Sequence, residues 1–144
     1  MQQQSRQDMA IRNEEVFSGS ATGKQQRAIE YVTENGFSIL RLSEIRTSVT
    51  DTARECHFLV RNPNGWEREI CVAFADSVIT AVQERRRSPL SLNSAFWLIG
   101  AERSLATYLW KNDHYPDGGR LDIRELSLDE LLLATYWSDK QGDY

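Results

Sequence analysis

Residues 62–65, with the sequence NPNG, constrain the fold of this chain more than any other segment. They lie between two stretches in which apolar and polar residues alternate. Pro63 suits the second position of a type I turn, and Gly65 readily adopts the left-handed conformation that follows it. This chemistry predicts a three-residue loop that pairs Asn62 with Trp66 in an antiparallel β-hairpin.

The loop also predicts which side chains share a face of the hairpin, because side chains alternate along a strand. Counting back from the loop places Phe58 opposite Ile70 and His57 opposite Cys71. A two-residue loop would instead place Phe58 opposite Glu69, which conflicts with the apolar pattern. The predicted core face consists of Cys56, Phe58, Val60, Ile70, Val72 and Phe74.

The remaining segments predict further strands and helices. Residues 37–49 are rich in β-branched and apolar residues and form the first strand of a predicted three-stranded antiparallel meander. Residues 121–126 favour another short strand. Capping signals and apolar residues at helical spacing predict four helices, over residues 22–35, 76–87, 93–110 and 127–137. The predicted fold class is therefore α+β, with the meander packed against helices and a helical C-terminal half.

The length of 144 residues suits one domain. Residues 1–21 are polar and predict a flexible arm, and residues 22–144 a single α+β domain. The longest apolar run, residues 95–101, is far shorter than the ~18 residues of a membrane-spanning helix, so no membrane association is predicted. The N-terminus lacks the apolar core of a secretory signal, and two cysteines make no disulfide framework. A cytoplasmic location is therefore predicted.

Two segments resemble ligand-binding loops but do not satisfy their spacing rules. Residues 19–24 have one residue too few between the glycines of a phosphate-binding loop, and Gln25 replaces its Ser or Thr. Residues 113–124 carry aspartates and a glycine typical of a calcium loop. However, Arg124 stands where that loop requires a bidentate glutamate. We therefore predict no cofactor and no metal site.

Two features leave an enzymatic alternative open. The predicted register brings His57 close enough to Cys71 for the imidazole to take the thiol proton. Glu102 lies on the apolar face of the third predicted helix, where an ionised carboxylate is costly unless it is paired. Such a carboxylate acts in catalysis in some proteins, and more often pairs with an arginine, here one from the sheet or the second helix. A small enzyme using His57 and Cys71, or Glu102, is therefore one alternative.

The surface residues favour a protein partner. Trp66 follows the hairpin turn, and surface tryptophan and arginine are common in protein interfaces. Residues 113–144 contain eight acidic and three basic residues, and an acidic surface can steer a basic partner. The predicted partner-binding residues are Trp66, Arg61, Arg68, Asp113, Asp117 and Asp122.

We therefore predict a non-catalytic protein-interaction module of a cytosolic complex, such as an adaptor, an immunity-like inhibitor or an accessory subunit. The second alternative is a nucleic-acid-binding regulator that uses arginines of the sheet. Those arginines are Arg41, Arg46, Arg54, Arg61 and Arg68. The sequence leaves the oligomeric state open.

Overall fold

A computed structural model describes residues 30–139 and shows an α+β fold. The predicted arm and most of the first predicted helix lie outside these residues. The described strands are β1 (Glu30–Val32), β2 (Ser38–Arg41), β3 (Cys56–Arg61), β4 (Glu67–Phe74) and β5 (Arg120–Ile123). The described helices are α1 (Leu42–Ile45), α2 (Asp76–Glu84), α3 (Ala95–Asn112) and α4 (Leu128–Tyr136).

The five strands form one mixed sheet in chain order, β1-β2-β3-β4-β5. Strands β1 to β4 pair antiparallel, and β5 pairs parallel to β4. The α+β class is confirmed, whereas the three-stranded meander is incomplete because β1 and β5 extend it on both sides. The parallel pair requires a long crossover, which α2 and α3 provide.

The predicted hairpin register is confirmed. Phe58 lies opposite Ile70 and His57 opposite Cys71. Gly65 has a φ of 91°, which is the left-handed conformation that the loop requires. The six residues of the predicted core face are at most 3% exposed. The turn chemistry therefore determines which face of the hairpin packs against the rest of the protein.

The predicted helix over residues 22–35 is wrong at its C-terminal end, where the chain forms strand β1. Asn35 and Gly36 suggest the end of a helix, but they belong to the turn between β1 and β2. Gly36 has a φ of 94°, and both kinds of structure use this left-handed conformation. Tyr31 and Val32 carry the aromatic and β-branched side chains that favour strands.

The predicted strand over residues 37–49 is too long, because β2 ends at Arg41 and the short helix α1 follows. Leu42 and Ile45 have the spacing of one helical turn, and Leu42 is 1% exposed. The chain then returns to β3 through residues 46–55. In this loop the Oδ1 atom of Asp51 accepts a hydrogen bond from the backbone nitrogen of His57 at 2.9 Å.

Helix α3 packs against the core face of the sheet and supplies much of the core. Ser94 caps its N-terminus by accepting a hydrogen bond from the nitrogen of Phe96 at 3.2 Å. The fully buried ring of Trp97 makes edge contacts with Phe74 and Phe96, at centroid distances of 5.0 and 5.1 Å. Neither α3 nor any other helix within residues 30–139 has the length and apolar content to cross a membrane.

Helix α4 is held at both ends. Ser127 and Glu130 form the capping box that the sequence predicts. At the other end Nη1 of Arg86, which follows α2, donates to the carbonyl oxygens of Ala134 at 2.6 Å and Trp137 at 2.9 Å. Ala134 is fully buried, so the face of α4 that carries it packs toward the core. The position of α4 therefore depends on a residue 48 positions earlier in the chain.

Candidate protein-interaction surfaces

Three turns meet at the end of the sheet where the predicted hairpin loop lies. We call this the hairpin-end surface and define it as residues 33–36, 61–68 and 113–119. A Cβ atom on Gly36 would lie 3.3 Å from Cγ of Pro63, so the first two turns are in contact. The Nδ2 atom of Asn35 donates to Oδ1 of Asp113 at 3.1 Å and joins the first turn to the third.

Trp66 is 72% exposed, yet its backbone is held on both sides. Oδ1 of Asn62 accepts hydrogen bonds from the nitrogens of Asn64 and Trp66, each at 3.0 Å. The hydroxyl of Tyr115 donates to the carbonyl oxygen of Trp66 at 2.6 Å. Burial raises the pKa of Tyr115, which keeps this donor protonated. The indole is therefore presented to solvent from a fixed backbone.

Arg61 and Arg68 lie on the two strands of the hairpin, close to its loop and to Trp66. Nη2 of Arg61 lies 2.6 Å from Oε2 of Glu67 on the opposite strand. A Cβ atom on Gly119 would lie 3.1 Å from Nε of Arg68, so this guanidinium covers the third turn. Gly119 also has a φ of 72°, and a side chain there would be both strained and crowded.

Asp113 and Asp117 belong to the third turn of the hairpin-end surface, whereas Asp122 lies elsewhere. Asp113 ends α3 with a φ of 60°, and Asp117 begins the 3₁₀ turn Asp117–Gly119. Asp122 lies on β5 opposite Ala73, at the far end of β4. Seven residues at ~3.3 Å each place that end about 23 Å from Trp66. The structure thus brings together five of the six predicted partner-binding residues.

Most of the sheet arginines of the nucleic-acid-binding alternative form ion pairs with carboxylates. Four of the five have a carboxylate partner, in the pairs Arg41–Glu102, Arg46–Glu69, Arg54–Asp76 and Arg61–Glu67. Binding of a nucleic-acid backbone depends on concentrated positive charge that neutralises phosphates. These partners reduce that charge at each position.

Glu102 forms a structural link between α3 and the sheet. It is 9% exposed and accepts two parallel hydrogen bonds from Nε and Nη2 of Arg41, each at 3.1 Å. These bonds raise the pKa of Arg41. Each carboxylate oxygen of Glu102 accepts one hydrogen bond from the guanidinium, which is the structural pairing with an arginine of the sheet that the sequence suggests.

His57 and Cys71 are cross-strand neighbours, but the thiol is not activated. Burial raises the pKa of Cys71, although Nη1 of Arg120 lies 3.8 Å from its sulfur. Burial also raises the pKa of Cys56 to about 12. The ring nitrogens of His57 each lie 3.6 Å from a carboxylate, that of Asp51 or that of Glu55. A nucleophilic thiol needs a lowered pKa, which neither cysteine has.

We expect Cys71 to react with a maleimide at pH 7 more slowly than glutathione does. Each unit by which its pKa is raised lowers the thiolate fraction about tenfold. Labelling rates followed by mass spectrometry measure this effect. A Cys71→Ser variant is the control, because its remaining thiol, Cys56, should react only after unfolding. Labelling of Cys71 at or above the glutathione rate would restore the case for a catalytic thiol.

Helix α4 carries an apolar surface that sequence reasoning does not identify. Its outward face is apolar, with Leu128 66%, Leu132 45%, Leu133 42% and Tyr136 77% exposed. The signal in the sequence is the run of three leucines at residues 131–133, because three consecutive residues cannot all face inward on a helix. We call these four exposed side chains the α4 stripe.

Within residues 30–139, no group of three or more His, Cys, Asp and Glu side chains is arranged to hold a metal ion. No protein-family model, curated protein or solved structure matches this chain. The proposed function therefore rests on the geometry of the hairpin-end surface.

Proposed function

We propose that the protein is a non-catalytic protein-interaction module that binds its partner through the hairpin-end surface. The observation that carries this proposal is that hydrogen bonds to Asn62 and Tyr115 fix the backbone of Trp66, while its indole is 72% exposed. Tryptophan is among the residues that contribute most to binding energy at interfaces. A backbone that is already ordered loses little further entropy when a partner binds.

The charges around Trp66 suggest the chemistry of that partner. Arg61 is already paired with Glu67, whereas Asp113 and Asp117 are exposed in the third turn. An apolar side chain bordered by carboxylates fits an apolar pocket with basic residues at its rim. The proposed partner is therefore a protein with such a pocket, and Asp122 is not part of the contact.

The chemistry of the remaining candidates supports a non-catalytic function. The oxygens of Glu102 are both bonded to Arg41, and burial raises the pKa of Cys71. The nucleic-acid alternative uses sheet arginines that mostly have carboxylate partners. It predicts binding that weakens steeply with salt, because phosphate contacts release counterions. Because the proposed protein contact also involves charges, sensitivity to nuclease together with a steep salt dependence distinguishes the two classes of partner.

The proposal predicts that Trp66→Ala abolishes capture of the partner from cells that produce this protein. Loss of a central interface tryptophan weakens binding by about 30-fold or more, corresponding to at least 2 kcal/mol. Ile45→Ala is the control, since Ile45 is also an exposed apolar residue, at 46%, but lies on α1, outside the hairpin-end surface. Quantitative affinity capture with the native chain and both variants, at two salt concentrations and with nuclease, measures the effect.

The expected result is a protein partner that the native chain and Ile45→Ala retain equally, that nuclease does not remove and that Trp66→Ala loses. Equal capture by Trp66→Ala would contradict the proposal. Capture that disappears with nuclease and falls steeply with salt would favour the nucleic-acid-binding alternative. The circular dichroism spectrum of each variant must match that of the native chain.

A further inference from the structure

The α4 stripe is a contiguous apolar patch on one face of a helix. At about 200 Å² for a large apolar residue, its exposed fractions amount to about 450 Å² on one molecule. An apolar patch of this size on a monomer is commonly a functional contact. The fully buried Ala134 lies on the opposite side of the helix, so the stripe points directly away from the core.

The spacing of the stripe suits a second copy of the same helix. Leu128, Leu132 and Tyr136 are spaced by four residues and form one ridge along α4. A two-fold axis through Leu132 would place Leu128 of one copy against Tyr136 of the other. Both copies then use the same surface, as the interface of a symmetric dimer requires.

The charges at the two ends of α4 favour the same antiparallel arrangement. Asp129 is exposed at the N-terminal end, on the face that carries the stripe. The residues around the C-terminal end include three arginines, Arg85, Arg86 and Arg87, and two carboxylates, Glu84 and Asp139, so that end has a net positive charge. An antiparallel pair brings the acidic end of each helix to the basic end of the other, which is electrostatically complementary.

We infer that the α4 stripe is a self-association surface through which two copies of this chain form an antiparallel, two-fold dimer. The pair buries about 900 Å², which is below the ~1,200–2,000 Å² of stable specific interfaces. The dimer is therefore expected to be weak and to form only at high protein concentration. This surface is separate from the hairpin-end surface.

Sedimentation equilibrium of the full chain from about 10 µM to about 1 mM tests the dimer. The average mass should rise from 16.6 kDa toward twice that value. Leu132→Glu should abolish the rise, because it places a charge at the centre of the apolar contact. Ile45→Glu is the matched control, since Ile45 on α1 is 46% exposed and lies outside the stripe.

A charge exchange tests the antiparallel orientation. Asp129→Arg alone should weaken association about tenfold, and so should Arg85→Glu combined with Arg87→Glu. The triple variant that carries all three changes should regain the native dissociation constant. A monomer at every concentration, or a dimer that Leu132→Glu leaves intact, would overturn the inference. Failure of the triple variant to recover would overturn the two-fold geometry.

Discussion

Trp97→Ala is expected to lower the free energy of unfolding by about 3–5 kcal/mol, the largest effect of any single substitution considered. The indole is fully buried and contacts the rings of Phe74 and Phe96. Its Nε1 donates to the carbonyl oxygen of Ser91 at 2.9 Å. Alanine would leave a cavity and would also remove the donor from that carbonyl.

Urea denaturation followed by circular dichroism measures this loss. Trp66→Ala is the control for Trp97→Ala, because the indole of Trp66 is 72% exposed and its removal should have a much smaller effect on stability. A loss below about 1 kcal/mol for Trp97→Ala would mean that α3 does not pack on the sheet as described.

Glu102→Leu is expected to lower the free energy of unfolding by about 3 kcal/mol, because it removes the bidentate partner of Arg41 and leaves Glu44, 3.7 Å away, as the nearest carboxylate. The side chains of Arg41 and Glu102 are only 19% and 12% exposed, so water compensates little of this loss. Arg41→Met should have a similar effect, since it leaves the carboxylate of Glu102 without its guanidinium partner. The double variant should return to within about 1 kcal/mol of the native chain, because apolar residues can replace a buried ion pair.

A double-mutant cycle with these three variants separates the pair from its surroundings. The expected coupling is large, because each single substitution leaves one charge of the bidentate pair largely buried without its main partner, and the double variant removes both charges. Additive effects of the two single substitutions would show that the ion pair is not the link between β2 and α3. Arg46→Met is the comparison, since Arg46 and Glu69 form an exposed pair at 3.7 Å.

The parts of the fold that local chemistry controls can be predicted from the sequence. The loop around Pro63 determines the register of β3 and β4, and the capping box begins α4. The Asn35-Gly36 pair is ambiguous, because a helix end and a hairpin turn both use its left-handed glycine. Strand β5 follows from no local signal that specifies its partner. Its parallel pairing with β4 depends on how α2 and α3 pack.

In the candidate site too, local signals could be predicted from the sequence and long-range contacts could not. The exposed position of Trp66 follows from the hairpin register. Its attachment to Tyr115 does not, because the two residues are 49 positions apart and meet only in the folded chain. The position of Asp122 away from the other predicted partner-binding residues likewise follows from the pairing of β5 with β4. Long-range packing therefore decides which predicted residues share a surface.

A photo-cross-linking amino acid placed at Asn64, next to Trp66, gives the most direct test of the proposed function. Only the backbone of Asn64 bonds to Asn62, so the turn should tolerate the change. The same amino acid at Ser77, exposed on α2, is the control. The account predicts a cross-link to a partner protein from residue 64 and none from residue 77. Cross-links from residue 77 alone would contradict it.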